Sequence, residues 1–93
     1  MKKQTTKEWL IELMKRHKMQ IHQNQVNVMA KIWDYLVENE KFDYTGHDLR
    51  RMLKIKLSHY YQVQMALFRL QQLGLVKEIR TIEKQTSYQV STW

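Results

Sequence analysis

The chain is short of the residues on which several kinds of functional site depend. Its 93 residues include no cysteine, no proline and two glycines. The absence of cysteine excludes disulfide frameworks, thiolate zinc sites and thiol nucleophiles. Two glycines are too few for a phosphate-binding loop of the Walker or dinucleotide type. No apolar run approaches the length of a membrane span, so we expect no membrane partner.

Catalytic and metal-binding patterns are also missing. The four histidines (His17, His22, His47 and His59) do not show the spacing of metal ligands on a helix. His59 is interpreted as a nucleic-acid contact or a partly exposed helix residue. The acids Asp34, Glu38 and Glu40 fall on a helix face that we expect to be solvated. The sequence therefore predicts neither an enzyme nor a metal site, and no cofactor.

The charge that is present is strongly positive and unevenly distributed. Hydrophobic residues make up 43% of the chain and charged residues 27%, which is typical of one globular domain. The net charge is +7, and residues 1–22 and 41–72 each carry six Lys or Arg against two acids. A clustered basic excess indicates a polyanionic partner, although a basic protein without such a partner is the alternative. The N-terminus lacks the apolar segment of a signal peptide, so we expect a cytoplasmic protein.

Two amphipathic helices are predicted in the first forty residues. Thr5 and Glu8 form a capping-box pattern at the start of the first, which should end between His17 and Gln20. Its apolar face consists of Trp9, Leu10, Leu13 and Met14. The second helix should begin with Asn24 as its N-cap and end near Asn39. Its apolar stripe consists of Val28, Met29, Ile32, Trp33, Leu36 and Val37.

A short extended piece and two further helices are predicted next. After Phe42–Tyr44, Thr45 and Asp48 are placed to cap a third helix. In that helix Leu49, Met52 and Leu53 should point inward, which would leave Arg50, Arg51 and Lys54 free. Lys56–Ser58 forms the turn, with Ser58 as N-cap of a fourth helix. The buried stripe of the fourth helix is Val63, Ala66, Leu67 and Leu70.

The hydrophobic period changes after Gly74, where a helix end needs a left-handed residue. From Leu75 onward apolar and polar residues alternate, and residues 86–93 are rich in β-branched and aromatic side chains, as a returning strand should be. The turn is predicted near Lys84-Gln85. The segment therefore predicts a two-stranded hairpin.

The order of these elements resembles the winged helix-turn-helix superfamily of DNA-binding domains. Two blocks carry the resemblance, Phe42-Asp-Tyr-Thr-Gly-His-Asp-Leu-Arg-Arg-Met-Leu-Lys-Ile and Met65-Ala-Leu-Phe-Arg-Leu-Gln-Gln-Leu-Gly-Leu-Val. The resemblance implies a mainly α fold with a small β-hairpin (α+β). The helix from Ser58 would enter a major groove, and the hairpin would touch the backbone or minor groove. The predicted division is an N-terminal basic amphipathic helix in residues 1–22 and a winged-helix domain in residues 23–93.

The candidate DNA-binding residues follow from that arrangement. Those flanking the fourth helix, suited to phosphates, are Arg50, Arg51, Lys54 and Lys56. Those on the fourth helix are Ser58, His59, Tyr60, Tyr61, Gln62, Met65 and Arg69. Those on the hairpin are Lys77, Arg80 and Lys84. Gln and Arg can form bidentate contacts with adenine and guanine edges, and Ser and Tyr hydroxyls reach phosphates.

The predicted exposed face of the fourth helix is unusually apolar for reading duplex bases. Tyr60, Tyr61, Met65 and Phe68 have three interpretations. They pack on the first helix or the hairpin, they form a dimer interface, or the aromatic rings stack on unpaired bases. All three stay open at this point.

The first helix has two interpretations. Trp9, Leu10, Leu13 and Met14 either cover the domain's own core or pair with the same helix of a second chain. We favour a homodimer, since a small winged helix rarely needs an extra apolar helix for itself and symmetric dimers bind two half-sites.

Three functions fit these observations. The first is a sequence-preferring regulator that binds double-stranded DNA. The second is a single-stranded DNA-binding accessory protein in the replication of a plasmid, phage or other mobile element. The third is a protein-interaction module whose basic charge is incidental.

Overall fold

Four α-helices, a 3₁₀ turn and a three-stranded antiparallel sheet make up residues 5–91, the part of the chain that this computed structural model describes. The helices are α1 (Thr6–Arg16), α2 (Gln23–Glu38), α3 (Gly46–Met52) and α4 (Tyr60–Gln72), and the 3₁₀ turn is Leu57–His59. The strands are β1 (Tyr44–Thr45), β2 (Val76–Ile82) and β3 (Gln85–Val90), in the order β1-β3-β2. The predicted α+β class is confirmed. Thr92 and Trp93, the predicted end of the returning strand, lie outside the described residues, as do residues 1–4.

Helix α1 packs on α2 and contributes to the same core. The Thr5 hydroxyl caps α1 by accepting a hydrogen bond from the Glu8 amide at 3.2 Å. Leu10 and Met14 are fully buried in the core. The Trp9 and Trp33 rings lie 5.4 Å apart between the two helices. The N-terminal helix is therefore held by apolar packing rather than by its cap alone.

Helix α2 packs against both α1 and α4. Its core side chains include Val26, Met29, Ile32 and Leu36. The prediction that Asn24 is the N-cap is wrong, because His22 occupies that position and forms no side-chain capping hydrogen bond. The helix ends at Glu38, next to Asn39 as predicted.

The capping box at α3 forms as its sequence pattern predicts. The Thr45 hydroxyl accepts from the Asp48 amide, and the Asp48 carboxylate accepts from the Thr45 amide, both at 3.1 Å. Leu49 is fully buried, but Met52 is 56% exposed, so the prediction that it points inward is wrong. Helix α3 ends at Met52, and its last turn lies at the surface rather than over the core.

The start of α4 differs from the prediction, because residues 57–59 form the 3₁₀ turn. Ser58 lies inside this turn and does not cap α4; His59 is at the N-cap position without a side-chain hydrogen bond. The buried stripe of α4 is confirmed: Val63, Ala66, Leu67 and Leu70 are at most 1% exposed.

Three helices end on a residue with left-handed backbone geometry. Gly74 follows α4 with φ of 75°, as predicted, and Lys18 and Lys54 occupy the equivalent positions after α1 and α3 with φ of 56° and 57°. After each of them the next amide donates a hydrogen bond back to a carbonyl of the helix's last turn, which satisfies a group that would otherwise be unpaired. Lysine adopts this geometry at a cost that glycine avoids.

The hairpin turn consists of Glu83 and Lys84, one residue earlier than predicted. Ile82 pairs with Gln85, so the loop has two residues, and both have positive φ (50° and 66°). Positive φ at both positions is what a type I′ turn requires, and Asn-Gly is its favoured sequence. The alternation predicted along β2 is also interrupted, because the register shifts between Glu78 and Arg80. A bulge of this kind increases the local twist of the hairpin.

The strained turn leads to a stability prediction. The double substitution Glu83→Asn and Lys84→Gly should raise the free energy of unfolding by about 1 kcal/mol, because asparagine tolerates the left-handed region better than glutamate does and glycine enters it without steric cost. Chemical denaturation measures the change. The matched control is Thr81→Asn with Thr86→Gly, in extended strand geometry, which should lower stability; a gain there as well would contradict the turn argument.

Candidate nucleic-acid interface

Helix α4 presents an exposed ridge opposite its buried stripe. Tyr61, Met65 and Phe68 are 58%, 40% and 55% exposed, and Gln64 and Gln72 are exposed beside them. Gln62 is half-buried, and its amide donates to the Tyr61 hydroxyl at 3.4 Å. The apolar side chains on the ridge are therefore only partly covered by the rest of the chain.

Two grooves flank this ridge. The first has a volume of about 260 Å³ and lies between the start of α2 and one side of α4; it is lined by His22, Asn24, Gln25, Tyr61, Gln62 and Met65. The second, of about 280 Å³, lies between α4, the start of α3 and the hairpin; it is lined by Thr45, Gly46, His47, Tyr60, Gln64, Leu67, Lys84, Gln85, Thr86 and Tyr88. The ridge thus stands between two concave strips of surface, one of which includes the hairpin turn.

An aromatic stack forms the floor of the second groove. The rings of His47 and Tyr60 lie nearly parallel, with centroids 3.9 Å apart. Tyr60 is half-buried, and burial raises the pKa of its hydroxyl above the ordinary value, although nearby Arg50 opposes this. Gly46 lies directly below, where an added Cβ would be 2.6 Å from the Tyr60 hydroxyl oxygen. Tyr60 therefore joins α3 to α4 instead of standing free on the ridge.

Exposed lysines lie before α4 in the chain and on the hairpin. Lys54 and Lys56 lie just before α4, and Lys77 and Lys84 lie on the hairpin. All four are exposed, and within residues 5–91 none of them forms an ion pair. Their ammonium groups are available to phosphates.

The four arginines predicted to bind DNA, in contrast, are engaged within the chain. Arg50 was predicted to be free, but it is half-buried, and its guanidinium donates to the Ile55 carbonyl at 3.2 Å across the end of α3. Arg69 is also half-buried and donates to the Gln20 carbonyl at 3.1 Å, which ties α4 to the loop between α1 and α2.

Arg51 and Arg80 are exposed, but each forms an ion pair. Arg51 pairs with Asp48 at 3.0 Å, and Arg80 contacts both carboxylate oxygens of Asp43 at 3.0 and 3.3 Å. The pKa of Asp43 is lowered by hydrogen bonding from Ser87 and also by Arg80. Burial alone would raise the pKa of Asp48, but hydrogen bonds from Thr45 and Arg51 outweigh it and lower the pKa. Both acids therefore stay ionised and compete with phosphate for these arginines.

The remaining predicted site residues lie at the start of α4 and on α1. Ser58 and His59 are exposed in the 3₁₀ turn, beside the ridge. Leu10 and Met14, predicted to form a dimer interface, are fully buried in the chain's own core and are not available to a second chain in this structure. Trp9 and Leu13 are half-buried and pack against that core.

The sequence interpretation omitted Gln64 and His47. Gln64 lies three residues after Tyr61 and four before Phe68, so helical spacing alone could have placed it on the ridge. His47 had no such signal, because its stack on Tyr60 joins residues thirteen positions apart.

Two solved structures share this arrangement of helices and hairpin. One is described as the structure of GAS PerR-Zn-Zn, with a TM-score of 0.59, 16% identity, and coverage of 91% of this chain and 53% of that chain. The other is PerR from Streptococcus pyogenes, described as the structural basis for its peroxide sensing and gene regulation. It has a TM-score of 0.62, 14% identity, and coverage of 94% of this chain and 58% of that chain. The fold is a winged helix.

The winged-helix likeness concerns the fold alone. The chain spans between 53% and 58% of the length of the PerR chains it matches. No protein-family model and no curated protein matches it. Among residues 5–91, no group of three or more His, Asp or Glu is positioned to hold a metal ion, and no helix is long and apolar enough to span a membrane.

Proposed function

We propose that this chain is a double-stranded DNA-binding regulator in which α4 enters the major groove. The observation that carries the proposal is the exposed ridge of α4 between two grooves, with exposed lysines before the helix and on the hairpin that form no ion pair within residues 5–91. The major groove of B-DNA is wide enough to admit one α-helix. A ridge of one helix with a concave strip on each side suits a duplex, whose two sugar-phosphate strands border the major groove.

The charge distribution supports the same orientation. Lys54 and Lys56 stand at the start of α4, and Lys84 stands at the hairpin turn beside the second groove. These positions would bring ammonium groups to phosphates near the N-terminal end of the inserted helix and beside the second groove.

Single-stranded DNA binding is the second candidate, and a specific observation favours it. Tyr61 and Phe68 are both more than half exposed, which leaves ring faces on which unpaired bases could stack. Tyr60 does not support this candidate, because its ring is already stacked on His47. Single strands are therefore included in the test.

The experiment is a fluorescence anisotropy titration with a labelled duplex and each of its single strands, between about 50 and 200 mM salt. The duplex should bind more tightly than either strand. The logarithm of its association constant should fall with the logarithm of salt concentration, with a slope of about −0.9 for each phosphate contacted. Tighter binding of a single strand at every salt concentration would replace the duplex proposal with the second candidate. Binding to neither would leave the protein-interaction module.

A charge variant locates the contact surface. Lys54→Ala with Lys56→Ala should weaken binding to every duplex sequence and make the salt slope shallower by about two. The matched control is Lys7→Ala with Lys31→Ala, which removes the same charge from exposed positions on α1 and α2. Equal effects of the two double variants would mean that net charge, and not this surface, drives binding.

A further inference from the structure

The α4 ridge presents only two kinds of side chain. Its exposed side chains are the apolar or aromatic Tyr61, Met65 and Phe68 and the amides of Gln64 and Gln72. Tyr61, Gln64, Met65 and Phe68 lie at positions i, i+3, i+4 and i+7, which is one face of the helix. From Tyr61 to Phe68 this face rises about 10 Å, at about 1.5 Å per residue. That length covers about three base pairs, since base pairs are spaced about 3.4 Å apart.

The ridge has no cationic group, the kind of side chain that most often reads guanine. In the major groove guanine presents two acceptors, O6 and N7, which are read most often by Arg or Lys. Arg69 is the one charged residue of α4, all of which lies in the described part of the chain. Its guanidinium is half-buried and donates to the Gln20 carbonyl on the side of α4 that faces the α1–α2 loop. A G·C pair facing the ridge would therefore leave its acceptors without a cationic partner.

The same ridge suits A·T pairs. Adenine presents an acceptor at N7 and a donor at N6, which a glutamine amide can contact together. Thymine adds a C5-methyl group, the one apolar feature on the floor of the major groove, and this methyl is contacted by apolar side chains. Gln64 supplies the amide between Tyr61 and Phe68, which supply apolar surface. This matching also gives the exposed apolar residues a role on duplex DNA without stacking on unpaired bases.

We propose that the α4 ridge reads A·T base pairs, by contact of Tyr61, Met65 and Phe68 with thymine methyl groups and of Gln64 with adenine. The inference rests on the proposed binding of duplex DNA and specifies what that duplex must contain. The lysines before α4 and on the hairpin hold the DNA backbone and carry no base preference. Sequence preference therefore resides in side chains that carry no charge.

The test removes the methyl groups and leaves the base pairing intact. The probes are a short duplex whose centre consists of A·T pairs, the same duplex with deoxyuridine in place of thymidine, and a duplex with a G·C centre. The thymidine duplex should bind most tightly. Its deoxyuridine form should bind about fourfold more weakly for each methyl group contacted, the factor that corresponds to burial of one methyl.

Variants of exposed residues assign the contacts. Phe68→Ala or Met65→Ala should reduce the ratio between thymidine and deoxyuridine duplexes towards one, whereas Gln64→Ala should preserve that ratio and reduce the preference for A·T over G·C. Lys56→Ala is the matched control, which should weaken all three duplexes by the same factor and change neither ratio. Because all four side chains are exposed, thermal unfolding should show a midpoint close to that of the parent protein.

The outcomes separate this inference from the proposed function. Salt-sensitive duplex binding with equal affinity for all three probes would overturn A·T reading while leaving duplex binding in place. Absence of duplex binding would overturn both. Stronger binding of single-stranded oligothymidine than of any duplex would also overturn the inference and assign Tyr61 and Phe68 to stacking on bases.

Discussion

Replacing Leu10 with alanine should lower the free energy of unfolding by about 2–5 kcal/mol, as for other fully buried leucines. Leu10 belongs to the first helix but is fully buried in the common core. Its truncation removes apolar contacts and leaves a cavity. The surrounding helices can move only slightly to fill this cavity, because each is packed against its neighbours. Small domains have a total stability of about 5–15 kcal/mol, so this one change would consume a large fraction of it. Denaturation by urea, followed by circular dichroism, measures the loss.

The control for this variant is Glu12→Ala, an exposed position on the same helix, which should change stability by less than about 0.5 kcal/mol. Light scattering on both variants tests the alternative role of α1. If Leu10→Ala leaves monomer stability unchanged and instead lowers the molar mass from that of a dimer, then α1 serves a second chain and not its own core.

Gly46→Ala should lower the free energy of unfolding by about 1–3 kcal/mol, the second largest effect that we expect after Leu10→Ala. Gly46 is the buried first residue of α3, and an added Cβ would lie 2.6 Å from the hydroxyl oxygen of Tyr60 and 3.1–3.2 Å from two carbons of its ring. Tyr60 cannot simply move aside, because its ring is stacked on His47. The added methyl should therefore push the start of α4 away from α3 and disturb the ridge that α4 presents.

A double-mutant cycle tests that cause. Tyr60→Phe removes the oxygen that the new methyl would meet at 2.6 Å, so Gly46→Ala should cost less in the Tyr60→Phe background than in the parent protein. Additive effects of the two substitutions would show that the cost comes from the backbone of α3 and not from the tyrosine. DNA affinity should follow stability through the cycle, because the same contact orients α4.

Several site residues could be recognised from the sequence. The sequence did not show which of their side chains are free to contact a partner. The spacing of Tyr61, Met65 and Phe68 placed them on the outer face of α4, and their exposure agrees with it. Arg50 and Arg69 looked equally available. They are half-buried because carbonyl groups of Ile55 and Gln20 lie within reach of their guanidinium groups. The helical spacing of residues does not predict a hydrogen bond to a carbonyl group outside the helix.

The sequence by itself determined the structural features that depend on residues within about one helical turn of each other. The capping box of Thr45 and Asp48, the left-handed residue Gly74 and the buried stripe of α4 are such features, since local hydrogen bonds and a 3.6-residue period specify them. The tertiary structure alone decided where α1 packs, which cations are free and how Tyr60 joins α3 to α4. These depend on contacts between residues distant in the chain, and their energies arise only when the helices pack together.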